Sequence, residues 1–172
     1  ENGAYVAVCE HDGKTWKKPM SAKEYANGPD FVMGEMRSRS LVSDSEKDIS
    51  GIGFRVVAPG DYFLEHRVID EAYLRKLEDA EKRAPLHIAP MLAELREMRK
   101  VFGTTPIAAI SDSAFHVTRP AVARVYALKS EDTEKFGIHK FGYHGISFAS
   151  IARKLPEIFG TLPPRTIVCH LG

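Results

Sequence analysis

Five residues of this chain combine the types and positions needed to handle an anion: Arg55, His87, Asp112, His144 and His170. Arg55 lies inside an apolar run, where a charge must find a partner or face a cleft. Asp112 ends the run Ile107–His116 (IAAISDSAFH), which stops abruptly in Asp112, Ser113 and His116. His144 sits between glycines in Gly142-Tyr143-His144-Gly145, where backbone can come close to a ligand. Singly, each has a plain structural explanation: a cross-sheet ion pair for Arg55, a helix start for His87, a turn cap for Asp112, a turn residue in His144, a core histidine in His170. Together, at the ends of elements, they suit a phosphoryl or carboxylate ligand. A guanidinium grips an anion bidentately, imidazoles donate to its oxygens, and a carboxylate positions a metal or nucleophile.

The elements that must position them follow from the pattern. An apolar run that ends in polar residues predicts that the segment Ile107–His116 is a buried strand ending at Asp112, and in open α/β sheets chemistry collects at strand ends. Gly51–Val57 (GIGFRVV) reads as a second buried strand, closed by Pro59-Gly60. Asp70 is placed to cap a helix with Tyr73, Leu74, Leu77 and Ala80 on one face. A second helix follows Pro85, carries Ile88, Met91, Leu92, Leu95, Met98 and Phe102, and ends at Gly103. The order strand, helices, strand predicts a parallel crossover.

Elsewhere, Ala4–Cys9 reads as a strand that turns at His11-Asp12-Gly13 into a partner beginning at Lys14. Pro19–Asp30 reads as a loop with one helical turn and Phe31–Arg39 as a short helix. Ser43–Ser50 reads as an exposed connection. A short helix is predicted from Pro120 to Leu128, a strand over Ile138–Tyr143, and a helix capped by Ser147, with Ile151, Ala152, Leu155 and Phe159 inward and a break at Pro156. Arg165–Leu171 reads as a last strand.

Composition narrows the classes of function. The 172 residues carry 24 Lys+Arg and 23 Asp+Glu, a net charge of +1, without the basic excess that a nucleic-acid protein needs. No apolar run reaches the length of a membrane helix, and the start carries no secretory pattern. Cys9 and Cys169 are far apart and without metal-type spacing, which predicts free buried thiols in a reducing compartment. No Walker A motif, HExxH, CxxC or G-x-S-x-G is present. The chain begins Glu1-Asn2-Gly3 without an initiator methionine, which reads as a fragment or processed product.

Five stretches in order carry a resemblance: Gly51–Gly60 (GIGFRVVAPG), Ala84–His87 (APLH), Pro106–His116 (PIAAISDSAFH), Phe141–Ser147 (FGYHGIS) and Thr166–Gly172 (TIVCHLG). They resemble the acetate kinase family, with its propionate and butyrate kinases, from about Gly51 onward. The resemblance implies an α/β fold of the ribonuclease-H-like superfold shared by sugar kinases, actin and chaperone ATPases. A first domain over 1–118 would lack its first strands, and 119–172 would begin a second, with a hinge at Thr118–Pro120. It implies phosphoryl transfer between ATP and a short-chain carboxylate with Mg²⁺, in a cytoplasmic enzyme that dimerises when full-length; the chain's own oligomeric state stays open.

By the same resemblance Arg55, Asp112 and His144 are catalytic. Arg55, Val57, Leu86 and His87 bind substrate, and His170, Leu171 and Gly172 begin a phosphate-binding loop. No metal ligand is implied in this chain. The opening phosphate segment, the second arginine and the nucleotide-side half would lie outside it, so the fragment by itself is expected to be inactive. Phe54, Ala58-Pro59, Ile88-Ala89 and Ile146 with Phe148 depart from the family pattern. They keep open an inactive relative that binds small anions or a partner protein.

Overall fold

The computed structural model describes residues 5–43 and 48–171, which form two compact units. Of the described residues, the first comprises 5–43, 48–50 and 93–105, the second 51–92 and 106–171.

In the first unit, β1 (Tyr5–His11) and β2 (Lys14–Met20) form an antiparallel hairpin with His11 opposite Lys14. Its two-residue turn needs left-handed backbone at both positions, and Asp12 and Gly13 supply it at φ 48° and 72°. The segment read as a loop with one helical turn holds that turn and is more regular around it. β2 runs to Met20, and Ser21 opens α1 (Ala22–Ala26) with a capping box, its hydroxyl accepting from the Glu24 amide and the Glu24 carboxylate accepting from the Ser21 amide. Pro29 then sits in the first turn of α2 (Gly28–Ser38), where a missing N–H costs nothing. Helix α2 buries Met33 and presents Glu35 to the hairpin, where Trp16 Nε1 and Lys18 Nζ donate to its carboxylate at 3.4 and 2.5 Å.

The second unit is built on a mixed sheet of order β3-β5-β4: β3 (Ile52–Val56), β4 (Arg67–Val68) and β5 (Ile107–Ser111). β3 and β5 are parallel, with Arg55 in register with Ile110 and Val56 with Ser111, as the crossover reading requires. β4 pairs antiparallel to β5. The crossover consists of α3 (Glu71–Glu81), capped by Asp70 accepting from the Tyr73 amide at 2.8 Å, and the first turns of α4 (Pro85–Phe102). Tyr73, Leu77, Ala80 and Ile88 are fully buried with Val56 and Ile107. β3 alternates rather than being buried throughout: Phe54 and Val56 face the core, and Arg55 the opposite side.

Beyond β5 the chain tightens into a 3₁₀ turn over Asp112–Thr118, followed by α5 (Ala121–Arg124), α6 (Ser130–Phe136) and α7 (Gly145–Phe159). Several expectations are corrected here. The helix after Pro120 ends at Arg124, and α6 was not foreseen. Ile138–Tyr143 is not a strand, because Gly142 and His144 hold φ of 83° and 59°, incompatible with extended backbone. α7 is entered from His144, not capped by Ser147, and it runs through Pro156 to its end. Pro156 lies one turn from the C-terminus, so the bond it forfeits is among the last of the helix. Phe159 points outward, 65% exposed, and of the two thiols expected to be buried Cys9 is half-buried and Cys169 exposed. Arg165–Leu171 is not a strand; no described strand pairs with it, and Ile167 and Leu171 are each 94% exposed. Among the described residues no helix is long and apolar enough to cross a membrane.

Candidate active site

The site is assembled where β5 stops. Ser111 closes the strand: its Oγ donates to the Phe63 carbonyl and accepts the Ser113 amide at 3.2 Å, and its own amide donates to His66 Nδ1 at 3.1 Å. The turn cap is therefore Ser111, which frees the side chain of Asp112 to reach across the sheet. Its carboxylate is fully buried. Arg55, one strand away on β3, donates from Nε (3.1 Å) and Nη2 (2.6 Å) to Asp112 Oδ2. The Ile146 amide, in the first turn of α7, donates to Oδ1 at 3.2 Å. Both oxygens are thus engaged, and the positive end of a four-turn helix adds to the stabilisation of the charge.

The close seat of α7 depends on Gly145. A Cβ there would collide with the Asp112 carbonyl oxygen and lie 2.8 Å from Phe115 Cβ. His144 precedes it in left-handed conformation, and its imidazole stacks on that of His170 with centroids 4.2 Å apart. Arg55, Asp112, His144, Ile146, Ser147 and His170 line one cavity of about 320 Å³. The Arg55 side chain is 56% exposed, so its remaining N–H groups face that space while two of them hold Asp112.

Arg55, Asp112, His144 and His170 therefore come together. Val57, Leu86 and His87 do not line this cavity. Val57 is half-buried, its amide facing Met91 Sδ at 3.5 Å; Leu86 is 88% exposed in the first turn of α4; His87 lies beside the Tyr143 ring at 6.1 Å. Leu171 is exposed and apart from the cavity, and Gly172 lies outside the described residues. Sequence reasoning overlooked Ile146, which acts through its amide, and Ser147, read as a cap. A serine two residues after a glycine that opens a helix was the available signal.

Among the described residues no group of three His, Cys, Asp or Glu side chains is placed to hold a metal, and both Asp112 oxygens are already taken. The donors present do not by themselves fit Mg²⁺.

A mixed α/β sheet brings an arginine and a buried aspartate to one cavity, and the segments before and after α7 add two histidines to it. The acetokinase family model matches residues 1–172, and the chain belongs to that family. The match includes the residues before Gly51, where the motifs in the sequence had indicated only a loose likeness. The acetate kinase of Mycoplasma capricolum is 31% identical over 95% of this chain and 42% of its own length; that of Clostridium novyi is 32% identical over 99% and 44%. A propionate kinase structure from Francisella tularensis superposes with a TM-score of 0.75 at 26% identity, covering 90% of this chain and 39% of that one. The chain thus spans about two fifths of the length of these relatives. They are kinases by name, and nothing among them favours a non-catalytic anion binder.

Proposed function

We propose that this chain is the acyl-substrate side of an acyl kinase that moves a phosphoryl group between ATP and a short-chain carboxylate such as acetate or propionate. One observation above all supports this reading: the guanidinium of Arg55 and the imidazoles of His144 and His170 share one cavity with the carboxylate of Asp112. A loose, metaphosphate-like transition state needs positive charge and donors around its equatorial oxygens and little covalent chemistry. Arg55 grips the phosphoryl oxygens with the N–H groups not spent on Asp112. His144 and His170 donate from the facing wall. Asp112 holds Arg55 rigid, so the guanidinium need not be ordered at the moment of reaction.

The resemblance would have Val57, Leu86 and His87 flank the acyl group and His170, Leu171 and Gly172 begin a phosphate-binding loop; of these, among the described residues, only His170 lines the cavity, and it is the one given a contact with the phosphoryl group. ATP and Mg²⁺ belong to the complete enzyme, and no step through either is derived from the residues here. The same reading places the chain in the ribonuclease-H-like superfold, with the domain boundary near Thr118, in a homodimeric cytoplasmic enzyme.

The test assays acyl phosphate formation from ATP, Mg²⁺ and acetate or propionate. The complete protein forms it, its Arg55→Ala variant loses at least about a hundredfold in turnover, and this chain by itself forms none. A complete protein inactive on every short-chain carboxylate overturns the reading. Robust product from this chain alone overturns its half-site part.

A further inference from the structure

His116 is in none of the roles above, yet it touches both walls that carry the cavity's imidazoles. Its Nε2 lies 2.9 Å from the carbonyl oxygen of Tyr143, the residue before His144. A carbonyl only accepts, so this nitrogen carries the proton and donates. The ring also fills the space beneath Gly142, where a Cβ would collide with its Cγ and Cδ2. Glycine there serves the φ of 83° and the close approach of the imidazole together. Ser113 Oγ fastens the same loop by donating to the Gly142 carbonyl at 3.0 Å. On its other side the His116 ring meets Phe148 edge-on at 5.7 Å, and Phe148 leans on His170 at 6.3 Å. His170 in turn stacks on His144, closing a ring of contacts behind the cavity.

We propose that His116 is a positioning residue for His144: its Nε2–H, held on the Tyr143 carbonyl, fixes the left-handed turn that aims the His144 imidazole into the anion cavity. The argument is conformational. A histidine at φ 59° occupies a sparsely populated region and persists only where its surroundings over-determine it. Of residues 142–144 only His144 takes part in a regular element, its carbonyl accepting the Phe148 amide at 3.2 Å at the start of α7, so side chains must supply the constraint on the Gly142 and Tyr143 carbonyls. Ser113 holds the carbonyl at Gly142 and His116 the next one, at Tyr143. Losing the second leaves the peptide before His144 free to rotate, and the imidazole leaves the wall it shares with His170. This role rests on the anion-site reading, and its test is separable from it.

The experiment compares this chain with its His116→Phe and His116→Gln variants. Phenylalanine keeps a ring under Gly142 and removes the donor; glutamine removes the ring and reaches the Tyr143 carbonyl with an amide N–H. Two readouts are taken: the NMR resonances of the His144 ring, which sense the stacked His170 without any ligand, and the affinity for inorganic phosphate. His116→Phe displaces the His144 resonances and weakens phosphate binding about tenfold, the effect of one lost hydrogen bond to a positioned group. His116→Gln restores both towards the parent. Unmoved His144 resonances in His116→Phe overturn the proposal, and so does equal displacement by Phe and Gln. Should His116→Phe not fold, His116→Asn, too short to reach the carbonyl, replaces it. If the parent binds no phosphate, the anion-site reading falls, while the His144 resonances still decide the positioning role.

Discussion

Arg55 places two of its N–H groups on a single oxygen of Asp112, Nε at 3.1 Å and Nη2 at 2.6 Å, and leaves the other oxygen to the amide of Ile146. The arrangement is asymmetric. Asp112 is wholly buried, whereas more than half of the Arg55 side chain is exposed. Removing the arginine therefore strands a buried carboxylate with one weak donor, and removing the carboxylate merely returns a guanidinium to water.

The first prediction follows from that asymmetry. Arg55→Met destabilises the chain by about 1–3 kcal/mol, the cost of a buried charged group losing its main partner, at the lower end because solvent reaches the pair. Asp112→Asn costs less, and the double variant less than the sum, with a coupling of about 1 kcal/mol. Urea denaturation of the four proteins measures the cycle; additive single effects would show that the contact contributes nothing to stability.

Gly145 supplies a second prediction. The obstacle to a side chain here is the Asp112 carbonyl, a backbone atom that cannot swing aside. Gly145→Ala costs about 3 kcal/mol, the upper range for overpacking, and it draws the Ile146 amide off Asp112. Thermal melting and inorganic phosphate binding are both expected to suffer. Gly137→Ala, at φ 58° with open space around it, costs only the left-handed backbone strain and leaves phosphate binding intact.

The parts legible in the sequence are those where local pattern and final burial agree. The strand around Ile107 and the spaced apolar faces of α3 and α4 bury Tyr73, Leu77, Ala80, Ile88, Leu92 and Leu95, while Leu74, Met91, Met98 and Phe102 on the same faces stay partly exposed and the run around Phe54 alternates. Arg55 and Asp112 meet because the parallel strands β3 and β5 end at the same edge of the sheet; the sequence order predicted the crossover, while the shared site was implied by the family resemblance. The failures have different causes. TIVCHL has strand propensity without a described partner, and propensity without a ladder does not make a strand. FGYH has aromatic content that suits a strand, but Gly142 and His144 turn left-handed under the pull of Ser113 and His116, contacts about 27 to 29 residues away in sequence. Ile146 was invisible because a backbone amide has no letter of its own.

His144 yields a third prediction, which separates shape from chemistry. Asparagine tolerates the left-handed backbone far better than other replacements and removes the imidazole. His144→Asn keeps stability within about 0.5 kcal/mol of the parent and lowers inorganic phosphate affinity about tenfold. His144→Val loses both, because a β-branched residue at φ 59° is strained. Parent-like phosphate affinity in His144→Asn would remove the imidazole from the site.

The last prediction concerns acid and the first unit, where Trp16 is the single tryptophan. Lys18 holds the Glu35 carboxyl below its ordinary value of 4.5, partial desolvation opposes it, and the Trp16 indole N–H adds to the lowering. The Arg39 guanidinium covers the other face of the indole, 3.3 Å from its centroid. A carboxyl whose folded value is depressed binds fewer protons folded than unfolded, so its contribution is present above 4.5 and is lost as pH falls through the lower folded value. Lys18 is raised above 10.5, chiefly by the same Glu35 hydrogen bond, and its contribution is present below 10.5 and fades as pH rises through the higher folded value. The contact between α2 and the hairpin is therefore strongest between those limits. Acid titration should shift Trp16 fluorescence below pH 4.5 as the indole loses its charged acceptor, and Glu35→Gln should flatten that transition. An unchanged acid transition in Glu35→Gln would mean that the indole senses some other group.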